Sequence, residues 1–261
     1  MWLRVVCLAW IPCVASIALG GGFKPDRERD GLVGPVHTVT CEPAPGLNRS
    51  GACPFLNATY DRHGWLREQV YPDANGSPSS RSVYRRDPAT GRTEVTNVDG
   101  AGKPTGTKVI IRFDAARGEA VSETFDAQGV AGREVQKYDR RGNLIEEKSF
   151  YWDGSIRHES HFTHDEHGRK IKLYDYDAHG PEITTVVFSY DEAGQVAEQT
   201  VYDEEGTLRG VYRNTYTEDG HGNWVRRSTR SCQPSREKGG ELVCGAPSTE
   251  TRRITYYNDG R

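Results

Sequence analysis

Residues 138–215 read YDRRGNLIEEKSFYWDGSIRHESHFT, HDEHGRKIKLYDYDAHGPEITTVVFS and YDEAGQVAEQTVYDEEGTLRGVYRNT, three copies of a 26-residue unit set end to end, and a fourth begins at Tyr216. Each copy holds two turns, because Gly142, Gly154, Gly168, Gly180, Gly194 and Gly206 are spaced alternately by 12 and 14 residues. That spacing fits strand, turn, strand, turn. Asp139, Asp177, Asp191 and Asp203 stand three residues before their glycines. There a carboxylate accepts hydrogen bonds from the amides ahead of it, and the glycine takes a positive φ without a Cβ clash. The unit is therefore a pair of antiparallel strands joined by short turns.

Weaker copies extend the pattern upstream, at Tyr60–Asp61–Arg62–His63–Gly64, at Phe113–Asp114 reaching Gly118, and at Phe125–Asp126 reaching Gly129. The ring before each Asp is the last residue of a strand. One column of rings holds Tyr138, Tyr190 and Tyr216, and the other Phe125, Phe150, Tyr176 and Tyr202, while the weaker copies add Tyr60 and Phe113. All are read as core aromatics, with Leu144, Ile156, Val196 and Leu208 adding apolar contacts. Two strands per copy from Tyr60 onward make on the order of a dozen, too many for a flat open sheet. The expected fold is all-β: a repeat array of antiparallel β-hairpins forming one long curved or spiralling sheet.

The 261 residues carry one period through most of their length, which argues for a single array. Only 35% are hydrophobic and Met occurs once, as suits a thin β-structure. The net charge is −3 with acids and bases interspersed, so no nucleic-acid footprint is present. Residues 1–20 combine Arg4, an uncharged apolar run and a small-residue exit, and read as a signal peptide. The domains expected after it are an N-terminal cap with a disulfide loop over 21–59, YD-like β-hairpin repeats over 60–230, and a C-terminal disulfide loop with a final strand over 231–261. An export signal makes disulfides the natural reading of Cys41, Cys53, Cys232 and Cys244. Sequential pairing, Cys41 with Cys53 and Cys232 with Cys244, is geometrically simplest.

Reactive constellations are sparse. His158, His161, His164 and His167 recur every three residues. In strands, neighbouring members of such a series face apart, so one metal cannot collect them. There is no nucleophile elbow and no P-loop, and His158–Glu159–Ser160–His161 falls one residue short of a zinc-protease motif. The expectation is therefore no catalytic residue, no metal and no cofactor.

The phrases YDRRGNL, YDEAGQV and YDRHGWL resemble the YD repeats of the Rhs family, exported proteins found mainly in bacteria, over 60–230. MORN-like repeats share the aromatic–acidic–Gly rhythm and are the second choice. The resemblance implies a β-sheet that spirals toward a shell; this chain has far too few repeats to close one, and GLVGPVHTVTCE (31–42) looks like a cap. The expected function is a non-enzymatic binding or structural module for an envelope polysaccharide or protein, periplasmic or extracellular in a bacterial host, with no integral membrane span after signal cleavage. The alternatives are a small hydrolase using carboxylates on the sheet face, or a partner that neutralises a secreted toxin. Trp65, Trp152 and Trp224 are the rings whose exposure would favour sugar.

Overall fold

The computed structural model describes residues 25–42, 55–73, 75–178, 184–235 and 239–258; the signal-peptide segment 1–20, Cys53 and Gly180 lie outside them. Among the described residues a single helical turn, α1 (Asp26–Arg29), is followed by seventeen strands. They are β1 (Val36–Glu42), β2 (Asn57–Tyr60), β3 (Leu66–Pro72), β4 (Pro78–Arg86), β5 (Thr93–Asp99), β6 (Pro104–Asp114), β7 (Glu119–Asp126), β8 (Gly129–Tyr138) and β9 (Leu144–Phe150). The series continues with β10 (Ile156–His164), β11 (Lys170–Asp177), β12 (Thr184–Tyr190), β13 (Val196–Tyr202), β14 (Leu208–Glu218), β15 (Trp224–Pro234), β16 (Leu242–Cys244) and β17 (Ser248–Tyr256).

The hairpin reading holds strand by strand, but the sheet is not open. Val39 pairs with Ile254 on one side and with Ala58 on the other, so β1 joins the last strand to the second. The result is a closed 16-stranded antiparallel β-barrel, to which β16 is a short appendage on β15. This overturns the curved or spiralling sheet expected from the repeat. The physical reason recurs at the turns. Lys137 pairs with Glu146 but Tyr138 with Leu144, leaving one extra residue on the following strand. The same slip occurs at Tyr60, His164, Tyr190 and Tyr202. A bulge bends and twists a sheet, and repeated in one sense it brings the ends together.

Each turn is built by its Asp. In the β8–β9 turn Asp139 Oδ1 accepts from the amides of Arg141 and Asn143, both at 2.8 Å. The Gly142 amide donates to the Asp139 carbonyl at 3.0 Å, and Gly142 has φ 78°, a conformation open to glycine at little cost. Asp61, Asp73, Asp165 and Asp219 cap their turns in the same way.

Alternation along the strands separates a buried inner face from an exposed outer one. The inner face divides into two halves. Val36, Val39, Ala58, Tyr60, Tyr84, Val95 and Ile111 form an apolar cluster across β1 to β6. Across β8 to β11 the inner face instead buries Glu134, Gln136, Glu147, Ser149, Ser160 and Asp175.

Candidate functional site

The structure splits the two aromatic columns. Tyr60 and Tyr138 are buried on the inner face, which also takes the partly buried Phe113, Tyr190 and Tyr216. Phe125 and Phe150 pair with Lys108 and Arg133, and Tyr176 and Tyr202 with Glu159 and Thr185, all on the outer face. An odd number of strand residues separates the two columns after the bulge, so one column must point out when the other points in. Tyr176 is 38% exposed.

Beside the outer column stands Trp152, at the tip of the β9–β10 turn and 84% exposed. The other two tryptophans among the described residues, Trp65 and Trp224, lie under arginines. Arg86 lies 3.8 Å over the Trp65 ring and Arg252 3.8 Å over that of Trp224, which is buried. Below the outer aromatics runs a ladder of charge: Lys137 meets Glu146 at 2.8 Å, Lys148 meets Glu146 and Glu159, and His161 meets Glu159 at 2.6 Å. Arg213 with Glu198 and Lys108 with Glu94 repeat the pattern on other strands.

The histidine series is dispersed as the alternation requires. His158 faces inward, where Nε2 reaches Asp175 at 2.8 Å and that contact raises its pKa; His161 faces outward, and His167 sits in a turn. Among the described residues no group of three or more His, Cys, Asp or Glu is placed to hold a metal ion.

The acidic inner cluster went unread in the sequence. Gln136 Nε2 donates to Glu134 at 3.0 Å and to Glu147 at 2.7 Å, while the Tyr138 hydroxyl donates to Gln136 Oε1 at 2.5 Å. Burial, with the neighbouring Glu147 carboxylate behind it, holds Glu134 well above the usual carboxylate range. Burial also raises Glu147. Ser160 and His158 both bind Asp175. Counting back by twos from the core ring Tyr138 to Gln136 and Glu134 would have put these groups on the buried face.

Of the four cysteines, Cys232 and Cys244 face each other across β15 and β16 and are bonded. Cys41 is also disulfide-bonded, and its expected partner Cys53 falls outside the described residues.

No family model and no curated protein matches the chain. Among solved structures, a porin-like protein from Bacteroides uniformis covers 85% of this chain and 98% of its own at TM-score 0.55 and 10% identity. One from Bacteroides vulgatus covers the same shares at TM-score 0.46 and 11% identity. A TcdB2-TccC3 structure covers 76% of this chain and 14% of its own, at TM-score 0.17 and 11% identity. At such identities the first of these establishes a shared fold alone. The class is thus a closed antiparallel β-barrel with the architecture of a porin-like protein, and the YD-repeat resemblance is one of motif.

Proposed function

We propose that the chain is an exported, water-exposed β-barrel that binds a polysaccharide of the bacterial envelope at the rim bearing Trp152. Trp152 carries this reading: a ring 84% exposed at a turn tip, next to outward-facing Phe150 and its cross-strand neighbour Ile156. Solvent-exposed rings set on a rigid hairpin end offer flat apolar faces to sugar rings, and such apolar patches mark interaction sites. The acidic turn residues Asp153, Glu204 and Glu205 at the same end supply acceptors for hydroxyl groups.

The name of the Bacteroides uniformis protein invites an outer-membrane location for this chain as well. A membrane barrel, however, needs an apolar band about 25 Å tall on its outer wall. Here that wall presents Lys137, Lys148, Arg133 and Arg213, and the inner wall is half polar too. No helix among the described residues is long and apolar enough to cross a membrane, which bears only on helices. The charged ladder therefore supports a barrel whose outer wall faces water, in the periplasm or outside the cell. The motif phrases keep the YD-repeat relationship as part of this proposal.

The test is retention of the disulfide-bonded chain on insoluble envelope glycans, with Trp152→Ala as the control. Loss of retention in the variant, with unchanged melting, supports the reading. Equal retention of both proteins, or none of either, overturns it. A second reading, a hydrolase, draws on the Glu134–Glu147 pair with its raised pKa values. Glycan cleavage that Glu147→Gln abolishes would favour it.

A further inference from the structure

The barrel wall has a seam. β15 and β17 pair only from Arg226 with Thr251 to Thr229 with Ser248. Beyond Thr251, residues Arg252 to Tyr256 pair with β1 alone, and β15 begins only at Trp224. Side chains bridge the gap. Arg252 Nε donates to the Trp224 carbonyl, and the Tyr256 hydroxyl donates to Asp219 while accepting from Asn223 Nδ2 at 2.8 Å. A cavity of about 380 Å³ remains, lined among others by Glu42, Asp219, His221, Arg252, Arg253 and Tyr256.

The hydrogen-bond accounting in this cavity is unequal. Asp219 Oδ1 already accepts the amides of His221 and Asn223, at 2.9 and 3.0 Å, and Oδ2 accepts the Tyr256 hydroxyl. Glu42 is taken by the Thr251 hydroxyl and Arg253, each at 3.2 Å. Arg252 is different. Its guanidinium is fixed by the Trp224 carbonyl and stacked on the Trp224 ring, yet its two terminal amino groups have no acceptor among the described residues. Burial pushes its pKa down to about 10, although Tyr60, Asp219, Tyr256 and Asp30 nearby oppose that shift. A partly buried cation with spare donors can take a ligand that brings acceptors.

The geometry points to a second binding site here, for the carboxylate of a small polar ligand, with Arg252 as its clamp. The planar fork of a guanidinium matches the two oxygens of a carboxylate. Asp219 and Glu42 already place negative charge at the walls, which disfavours a dianion such as phosphate and selects a single charge. The His221 ring, stacked on Tyr256 at 3.9 Å, offers a flat face to the rest of the ligand. Pockets for small molecules run from about 300 to 1,000 Å³, so this one suits one sugar ring or a short peptide end. The carboxylate belongs either to a uronic acid or to an acylated amino acid. This site lies at the opposite barrel end from Trp152 and stands independently of the reading based on that residue.

Calorimetric titration of the full disulfide-bonded chain with glucuronate, glucose and N-acetylalanine tests it. Saturable binding of one carboxylate, with glucose at least about tenfold weaker, is expected, and the tighter of the two acids identifies the source. Arg252→Lys keeps the charge and loses the fork, so binding should fall by roughly tenfold or more. Val225→Trp, which fills the cavity from a lining position, should abolish binding and decides the matter alone if the arginine variant does not fold. Glucose binding as well as glucuronate, no heat from either acid, or wild-type affinity in the folded variants would each overturn the proposal.

Discussion

Asn223 and Val33, 190 residues apart in the chain, hold each other as two strands of a sheet do: the Val33 amide donates to Asn223 Oδ1 at 2.7 Å and Asn223 Nδ2 donates to the Val33 carbonyl at 2.8 Å. Asn223 is wholly buried. At its other end the same N-terminal segment is tied to the β2–β3 hairpin. There the Arg27 amide donates to the Gly64 carbonyl at 3.0 Å, and the Leu66 amide donates to Asp26 at 2.8 Å. Residues 26–33 thus form a strap linking hairpins on either side of the closing β1–β17 pair.

Asn223→Ala is expected to destabilise the barrel by about 2–3 kcal/mol, because it removes both strap bonds and leaves the Val33 groups and Tyr256 short of partners. The urea midpoint measures this. A midpoint equal to that of the wild type would mean that the strap does not support closure.

Asp30, within the strap, accepts the Tyr60 hydroxyl at 2.6 Å, and burial of its carboxyl pushes its pKa up to about 6 from 3.8. A carboxyl whose folded pKa is raised contributes stability that is full below its unfolded pKa and is lost as pH rises through the folded value. The loss therefore falls between pH 3.8 and about 6. Asp30→Asn should be more stable than the wild type above that window. Melting curves across the window would show it; parallel curves for the two proteins would refute the assignment.

Glu134 and Glu147 carry the same sign. Both are raised above 4.5, so the stability they contribute is present below that pH and fades as pH rises through their folded values. Glu134→Gln removes one buried charge and keeps an acceptor for Gln136. Its melting temperature should exceed that of the wild type at neutral pH, with a shallower dependence above 4.5. An unchanged slope would show that the pair is not desolvated.

The Cys232–Cys244 bond closes a loop with a sequence separation of 12. Replacing both by Ser should cost about 3 kcal/mol on the chain-entropy estimate. Denaturant unfolding of the double variant beside the wild type is the check, and no difference would confine the bond's influence to the β15–β16 appendage.

The charged outer wall predicts that the folded chain stays in the aqueous phase on detergent partition and does not float with lipid vesicles. The strand-by-strand cost of Lys or Arg at mid-bilayer, about 2–4 kcal/mol each, is the reason. Flotation of folded protein would require lipid to cover residues such as Lys137 and Lys148.

Turns were the most legible part of this chain. An Asp and a Gly three residues apart act on atoms within one hairpin, so Asp139 and Gly142 announce their geometry without reference to anything else. Strand pairing between neighbours followed, as did the Cys232–Cys244 bond. The facing of the aromatics was harder, since it depends on a one-residue bulge that Ile145 creates between Lys137 and Tyr138. The inner carboxylates were legible in principle through the alternation Glu134, Gln136, Tyr138.

The repeat, by itself, determined a continuous antiparallel hairpin array with capped turns and an aromatic at each strand end, because those features arise from contacts a few residues apart. Only the tertiary structure decided that the array closes. Closure sums small bends over sixteen strands and is sealed by β1 with β17 and by the strap at Asn223, contacts between the two ends of the chain that no local pattern encodes. The seam pocket around Arg252 exists for the same reason, as the place where the first and last strands meet and β15 falls away.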